Sequence, residues 1–171
     1  MKKAIFIGML LSLTGCLGYP NSVNPVTEFN LNNYLGKWYE IARLDHSFER
    51  GLDKVTAEYS MREDGGVKVV NRGFSASDGE WKEAVGKAFF VEEQNKGYLK
   101  VSFFGPFYGS YVVFALDSAH YQYAFVSGPN TSYLWLLSRT PEIEDDLKAM
   151  FVEKVEKLGF NPKNLIWVKQ F

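Results

Sequence analysis

The sequence is poor in the residues that bind metals or cross-link small domains. It contains one cysteine, Cys16, and only two histidines, His46 and His120. A single cysteine cannot form a disulfide within the chain, and metal sites need several such ligands close together. We therefore predict no disulfide framework, no metal centre and no cofactor.

A dominant charge and a long apolar run are also missing. The chain has 19 lysine and arginine residues against 20 aspartate and glutamate residues, whereas nucleic-acid-binding domains normally carry a basic surface. The apolar run Ala4 to Leu13 is about half of the roughly 20 residues that a membrane-spanning helix needs. These absences argue against a nucleic-acid partner and against a spanning helix.

Residues suited to catalysis are equally sparse. Asp45, His46 and Ser47 are the residue types of a catalytic triad, but adjacency in sequence does not create triad geometry. His120 lies in a turn with no evident nucleophile beside it. We expect His46 to be a solvated loop residue, and we predict no catalytic residues and no enzymatic activity.

The N-terminus has the order of an export signal. Met1-Lys2-Lys3 is basic, Ala4 to Leu13 is apolar, and small residues follow. Leu13-Thr14-Gly15-Cys16 resembles the lipobox of bacterial lipoproteins, which implies cleavage before Cys16, diacylation of its thiol and acylation of the new α-amine. An ordinary signal peptide that happens to end near a cysteine is the alternative.

The residue after Cys16 indicates which membrane holds the anchor. Inner-membrane lipoproteins usually carry aspartate there, so Leu17 favours the outer membrane, with the domain facing the periplasm. Glycine, proline, asparagine and serine then resist regular structure and predict an extended tether. The predicted organisation is a signal peptide over 1–15, a lipidated tether over 16–29 and one folded domain over 30–171.

Most of the domain is predicted to be β-structure. Short runs of β-branched and aromatic residues alternate with turns such as Glu63-Asp64-Gly65-Gly66 and Gln94-Asn95-Lys96-Gly97. The predicted strands cover residues 37–44, 55–61, 67–74, 81–92, 98–104, 108–116, 121–127 and 132–139. Eight strands at this spacing favour an all-β fold, an antiparallel up-and-down barrel whose interior can hold one small ligand.

The chain changes period after the eighth strand. Thr140 and Pro141 have the residue types of a helix N-cap and first helical position, and Gly159 that of a helix stop. Apolar residues between them recur at spacings of three and four, which predicts one amphipathic helix at about 141–158. Its apolar stripe must pack outside the barrel, and residues 165–169 predict a last short strand.

Motifs in this order resemble those of the lipocalin family, and with the lipobox the chain resembles the bacterial outer-membrane lipocalins. Gly36-Lys37-Trp38 matches the family's G-x-W motif, Asp117 through Tyr121 resembles its second motif with extra spacing, and Arg139 matches its third. The resemblance implies that Trp38 plugs the closed end of the barrel and that Arg139 lies across it. We therefore expect Gly36, Trp38, Asp117, Tyr121 and Arg139 to be structural.

The cavity-lining residues follow from alternation along each strand, starting from an inward Trp38 and Arg139. Plain core packing is the alternative for each position, and a β-bulge can reverse the assignment. The predicted ligand-binding residues are Glu40, Ala42, Ala57, Tyr59, Met61, Val69, Asn71, Ala84, Val101, Phe103, Tyr111, Val113, Ala124, Val126, Tyr133 and Trp135. Gly86, Ala88, Ala115 and Leu137 are predicted to face inward as well.

Three functions fit these features. The first is a membrane-anchored protein that stores or carries fatty acids, lysophospholipids or similar amphiphiles for envelope maintenance. The second is a lipocalin-like enzyme acting on a bound hydrophobic ligand, and the third is a structural envelope lipoprotein with a packed barrel. The expected partners are a lipid-like ligand and the membrane, and self-association into a homodimer stays open.

One turn has two interpretations of its own. Residues 103–109, Phe-Phe-Gly-Pro-Phe-Tyr-Gly, are aromatic and glycine-rich. Such a turn forms either a packed hairpin or an apolar patch that touches a membrane or a partner.

The lipobox generates a direct prediction. Cys16→Ser removes the thiol that would receive the diacylglycerol, so the protein should become soluble or remain uncleaved. Metabolic labelling with a palmitate analogue measures this change. Label that persists on the Cys16→Ser variant would rule out the assignment of Cys16 as the lipidated residue.

Overall fold

The computed structural model describes residues 17–171. The predicted signal peptide, the lipobox and Cys16 lie outside this range. No helix within residues 17–171 is both long and apolar enough to cross a bilayer.

Eight antiparallel strands form a closed barrel, which confirms the predicted fold class. Each strand pairs with the next along the chain, and β1 pairs with both β8 and β2, which closes the sheet. The strands are β1 (Gly36–Leu44), β2 (Leu52–Met61), β3 (Val67–Ser75), β4 (Glu80–Phe90), β5 (Tyr98–Phe104), β6 (Phe107–Leu116), β7 (Tyr123–Ser127) and β8 (Leu134–Ser138). A short β9 (Leu165–Trp167) adds to the outer edge of β1.

The two ends of the barrel differ. A one-turn helix, α1 (Leu31–Tyr34), precedes β1 and lies at the end where β1 begins; we call this the closed end. The β2–β3, β4–β5 and β6–β7 connections lie at the same end because neighbouring strands are antiparallel. The β1–β2, β3–β4, β5–β6 and β7–β8 connections lie at the opposite, open end.

Arg139 and Trp38 seal the closed end. The guanidinium carbon of Arg139 lies 3.9 Å from the centre of the Trp38 ring, and the indole donates a 2.8 Å hydrogen bond to the carbonyl of Tyr34. The Arg139 donors also bind the carbonyls of Lys37 and Leu35 at 2.9 and 3.0 Å. One side chain therefore ties α1 and the start of β1 to the end of β8, over a fully buried indole.

Three further motif residues shape this end. Gly36 has φ of +94°, which glycine adopts at little cost, and an added Cβ would lie 3.5 Å from Arg139. Asp117 accepts backbone hydrogen bonds from His120 and Gln122 at 3.3 Å, and so orders the β6–β7 turn. Tyr121 in that turn accepts a hydrogen bond from the Asn30 amide at 3.0 Å.

The C-terminal helix is shorter at its start than the sequence predicted. It is α2 (Asp145–Lys157), and its buried residues Phe151 and Val155 pack on the outer face of the barrel. The prediction of Thr140 as N-cap was wrong. The Thr140 hydroxyl contacts Ser138 and donates to the Glu142 carbonyl at 2.6 Å, which holds this segment in a turn.

The segment predicted as an extended tether is mostly folded onto the barrel. Residues 19–29, which we call the strap, run along its outer surface. Val23 and Phe29 are buried, because they reach apolar surface outside and at the closed end of the barrel. The Val26 amide donates to the Val113 carbonyl at 2.8 Å, and Gly97 donates back to Val26 at 2.9 Å. Burial of these apolar residues against the barrel therefore stabilises a docked strap, although the neighbouring turn-forming residues favour an open chain.

The closed end yields a stability prediction. Trp38→Ala removes a fully buried indole and the surface on which Arg139 lies, so the free energy of unfolding should fall by about 3–5 kcal/mol. Trp81→Ala is the matched control, since Trp81 is 47% exposed on the outer face, and it should cost less than about 1 kcal/mol. Urea unfolding measures both variants. Equal losses of unfolding free energy in the two variants would show that the buried Trp38 stabilises the barrel no more than an exposed tryptophan does.

Candidate ligand-binding cavity

An elongated cavity runs through the barrel and opens at the open end. Its volume is about 90 Å³, and one water needs about 10–15 Å³ of such space. Because this small volume extends between lining residues at both ends of the barrel, we describe the cavity as a narrow slot.

Many side chains predicted to bind a ligand line this slot. They come from six of the barrel strands and mix apolar walls with a few polar groups. These residues are Glu40, Ala57, Tyr59, Val69, Asn71, Val101, Phe103, Tyr111 and Trp135. Ala88 and Leu137, predicted to face inward, also line it.

Three of the predicted residues face inward but do not line the slot. Val113, Ala124 and Val126 are fully buried in the same interior cluster as Trp38. They lie where the interior is filled by side chains, so their role is core packing. Alternation gave their face correctly, but it carries no information about where the filled part of the interior ends.

Two assignments were wrong because β-bulges reverse the alternation. The pairing of β1 with β8 shifts between Glu40 and Ala42, and Ala42 packs in the outer cluster beneath α2. The pairing of β6 with β7 shifts between Val113 and Ala115, and Ala115 also packs against the outer cluster. A bulge adds one residue to a strand, so every later side chain changes face.

Three other assignments were wrong in position along the barrel. Met61 ends β2 and is 50% exposed. Ala84 is exposed because it lies in the part of β4 that extends beyond the paired residues of β5. Tyr133 precedes β8 at the rim, where its ring stacks with Phe48. None of the three lines the slot.

Several lining residues were not predicted. Val55, Val67 and Leu99 could have been found by extending the alternation by two residues from their neighbours. Tyr34 and Phe48 gave no such signal, since they lie outside strands. The full set of missed residues is Phe29, Leu31, Tyr34, Phe48, Glu49, Val55, Val67, Leu99 and Ser110.

A trio of tyrosine hydroxyls lies toward the closed end of the slot. The Tyr111 hydroxyl contacts that of Tyr34 at 2.6 Å and that of Tyr59 at 2.8 Å. Burial raises the pKa of all three phenols, with mutual repulsion adding to the increase for Tyr34 and Tyr111. The three phenols are therefore neutral, and their hydroxyl groups hydrogen-bond to one another. This part of the wall is therefore apolar except for the line of three hydroxyl groups.

A buried charged cluster lies toward the open end. It comprises Glu40, Arg43, His46 and Glu49, each no more than 6% exposed. Arg43 donates to the Glu40 carboxyl at 2.7 Å, and the His46 Nε2 atom lies 3.0 Å from a Glu49 carboxyl oxygen. Trp135 donates to the same oxygen at 3.1 Å. Four ionisable groups are thus held under one loop beside the slot.

The two carboxyl groups of the charged cluster have opposite pKa shifts. Burial, then the charge of Glu49, raises the pKa of Glu40 well above its ordinary value. Burial would also raise the pKa of Glu49, but hydrogen bonds to His46 and Trp135, together with the charges of His46 and Arg43, lower it overall. Of the two carboxyl groups, Glu40 is therefore the one that takes up a proton more readily, and Glu49 the one that keeps its charge to lower pH.

The charged cluster also holds the loop over the mouth. Arg43 donates to the Glu49 and Leu52 carbonyls at 2.9 and 3.0 Å, across residues 45–51. The expectation that His46 is solvated was wrong, because Phe48 stacks on it at 3.9 Å and Glu49 pairs with it. Phe48 in turn lines the slot. We call residues 45–51 the mouth loop.

Groups for other chemistry are scarce in the described part of the chain. Within residues 17–171, no three His, Cys, Asp or Glu side chains are grouped so that they could hold a metal ion. His46 is paired with Glu49, and its stacking partner is Phe48 rather than a nucleophile.

Comparison with known proteins places the chain among relatives. Residues 29–170 match the family described as lipocalin-like domain. The chain is 64% identical over 169 residues to outer membrane lipoprotein Blc of Vibrio cholerae serotype O1, which covers 98% of this chain and 99% of that protein. It is 51% identical over 151 residues to the protein of the same name from Escherichia coli K12, covering 88% and 85%.

A solved structure agrees with the fold. Insecticyanin from the tobacco hornworm, Manduca sexta, superposes with a TM-score of 0.68 at 24% identity, covering 89% of this chain and 86% of that one. The bacterial relatives support a lipid-anchored location in the outer membrane. The chain belongs to the lipocalin family, among the bacterial outer-membrane lipoproteins.

Proposed function

We propose that this protein is a carrier or store of single-chain amphiphiles, such as fatty acids and lysophospholipids, held on the outer membrane with its domain in the periplasm. The observation that carries the proposal is the slot itself. It is long, narrow, largely apolar and open at one end. A linear acyl chain fills such a slot and removes apolar surface from water without requiring a wide cavity.

The polar groups are arranged to suit an amphiphile. The hydroxyls of the tyrosine trio bind one another near the sealed end, whereas Glu40, Glu49 and Asn71 line the slot nearer the mouth. An acyl chain can therefore lie deep with its polar end toward the mouth. All these lining residues come from one chain, so the proposal does not require a homodimer.

The two alternatives have less support. If the protein were an enzyme, Glu40 would be the best candidate acid, but its carboxyl group is already hydrogen-bonded to Arg43 and Glu49. For a purely structural lipoprotein, the barrel should be filled, yet side chains such as Val101 and Phe103 border open space. Binding without chemistry accounts for both features.

The slot can be blocked from one wall. Val101 is a partly buried, slot-lining residue of β5, so Val101→Trp should occupy the space of the acyl chain. We expect the affinity for a fluorescent fatty acid to fall at least about tenfold, which corresponds to about 1.4 kcal/mol. The melting temperature should change little, because the new ring enters existing space.

Val85→Trp is the matched control. Val85 is 53% exposed on β4, so the same change there should leave both affinity and melting temperature close to wild type. If Val101→Trp lowers the melting temperature strongly, the interior is a packed core, and the carrier proposal fails. Unchanged affinity in a stable variant would also refute it.

The charged cluster predicts a pH dependence of stability. The pKa of Glu40 is raised by burial, so the carboxyl takes up a proton on folding, and the stability of the wild type should fall as pH rises above the ordinary carboxyl range of about 4 to 5. Glu40→Gln mimics the protonated acid and removes this loss. The stability of Glu40→Gln relative to wild type should therefore increase with pH.

Urea unfolding at a series of pH values measures that difference. Glu58→Gln is the control, because Glu58 is exposed on the adjacent strand β2, and its difference from wild type should vary little. A Glu40→Gln difference that is flat with pH would show that Glu40 is charged in the folded protein.

A further inference from the structure

The charged groups that border the slot are all acidic. Glu40 and Glu49 line it, and they are only 3% and 6% exposed. Within the described residues 17–171, no lysine, arginine or histidine lines the slot. A bound carboxylate usually pairs with a lysine or an arginine. A ligand with an anionic polar end would therefore meet carboxyl groups in this slot and no cation.

An arginine behind this wall is already engaged. Arg43 is 2% exposed and does not line the slot. Its terminal nitrogens bind the Glu40 carboxyl at 2.7 Å and the carbonyls of Glu49 and Leu52 at 2.9 and 3.0 Å. Turning the guanidinium toward a ligand would break these bonds and leave a buried carboxyl without its cation, which is costly. Arg43 therefore balances the protein's own carboxyl groups and not those of a ligand.

One polar group of the slot wall needs a hydrogen-bond donor. The Oδ1 atom of Asn71 is buried and has no hydrogen-bond partner among the described residues, and Asn71 lines the slot. An unpaired buried acceptor is destabilising. A hydroxyl group or a protonated carboxyl group donates to such an acceptor, whereas a carboxylate has no proton to donate. The wall therefore suits a polar end that carries a proton.

The contacts of Glu49 keep its carboxyl group charged while the slot is empty. The His46 Nε2 atom lies 3.0 Å from Glu49 Oε2, and Trp135 donates to the same oxygen at 3.1 Å. These contacts lower the pKa of Glu49, whereas burial raises the pKa of Glu40. An incoming anion is therefore brought beside a negative charge that the protein already stabilises.

Other titratable groups around the two glutamates do not cancel this charge. Burial, with the glutamate charges adding to it, raises the pKa of Tyr59 on β2, so the phenol is neutral. Asp45 and Arg50 of the mouth loop pair with each other at 2.8 Å, and both are exposed, so solvent screens their charges. Arg43 is already paired, as described above. An additional anion thus leaves an unbalanced negative charge in a buried site, which is strongly unfavourable.

We propose that the slot binds a fatty acid together with one proton, and that Glu49 is the residue that imposes this coupling. The proton comes from solvent and is held between the carboxyl group of the ligand and that of Glu49, because two carboxylates at one buried site do not both stay ionised. Only an O–H bond forms. A single-chain amphiphile with an uncharged polar end binds without a proton. This inference rests on the proposed carrier function and adds the ionisation state in which the ligand is held.

Calorimetry measures the coupling on the wild-type protein. Dodecanoate and monododecanoylglycerol have the same acyl chain, with an anionic and an uncharged polar end. Each is titrated as monomers at about pH 7, where free dodecanoate is ionised, in two buffers of different ionisation enthalpy. The change in binding heat between the buffers gives the number of protons taken up. We expect about one proton per dodecanoate and none with monododecanoylglycerol.

The affinity for dodecanoate should rise on acidification. One coupled proton predicts a gain of about tenfold for each pH unit between about pH 8 and pH 6, while the affinity for monododecanoylglycerol stays constant. A dodecanoate affinity that is constant, or that falls on acidification, would overturn the proposal. Equal proton uptake with both ligands would also overturn it, because the proton would then follow a change in the protein. A wild type that binds neither ligand would instead reject the carrier function.

Glu49→Gln tests the residue that imposes the coupling. This change removes the charge that the ligand meets, so dodecanoate should bind with fewer protons and several-fold more tightly than to the wild type at high pH. Glu58→Gln is the same change at an exposed position of β2, and it should leave proton uptake and affinity unchanged. Undiminished proton uptake in a folded Glu49→Gln variant would overturn the role of Glu49. If that variant does not fold, the wild-type titrations decide, since they need no substitution.

Discussion

The contact between Arg139 and Trp38 is the constraint on which the rest of the structure depends. A barrel of eight strands has two ends, and this contact closes one of them with an indole and a guanidinium that binds several backbone carbonyls. Arginine suits this position because its planar group stacks on a ring while its edge donates in fixed directions. Once this end is sealed, a ligand can enter only at the other.

The open end is held by a different kind of interaction. Burying Arg43, Glu40, His46 and Glu49 costs solvation free energy, which pairing within the cluster offsets only in part. A mouth loop packed by apolar residues alone would fold with less cost. The cluster instead fixes the loop conformation through directional contacts to Glu49 and Leu52, and it places polar groups beside the slot. Stability at the closed end and polarity at the mouth thus have separate origins.

Sequence reasoning predicted the fold well and the slot less completely. Alternation and turn residues identify the eight strands, because both are local properties of the chain. Bulges near Ala42 and Ala115 depend on how neighbouring strands pair, so no local pattern indicated them. Burial of His46 and docking of the strap depend on distant partners, such as Trp135 beside Glu49 and Val113 beside Val26. Residues whose surroundings are assembled by tertiary contacts were therefore the ones missed.

The central claim is that the slot holds one single-chain amphiphile per protein. Native mass spectrometry of the mature lipoprotein, followed by organic extraction, separates a non-covalent ligand from acyl groups bound through Cys16. We predict one extractable adduct per chain, with the mass of a fatty acid or a lysophospholipid. A protein that carries no extractable lipid, and that gains none on incubation with these amphiphiles, would contradict the account.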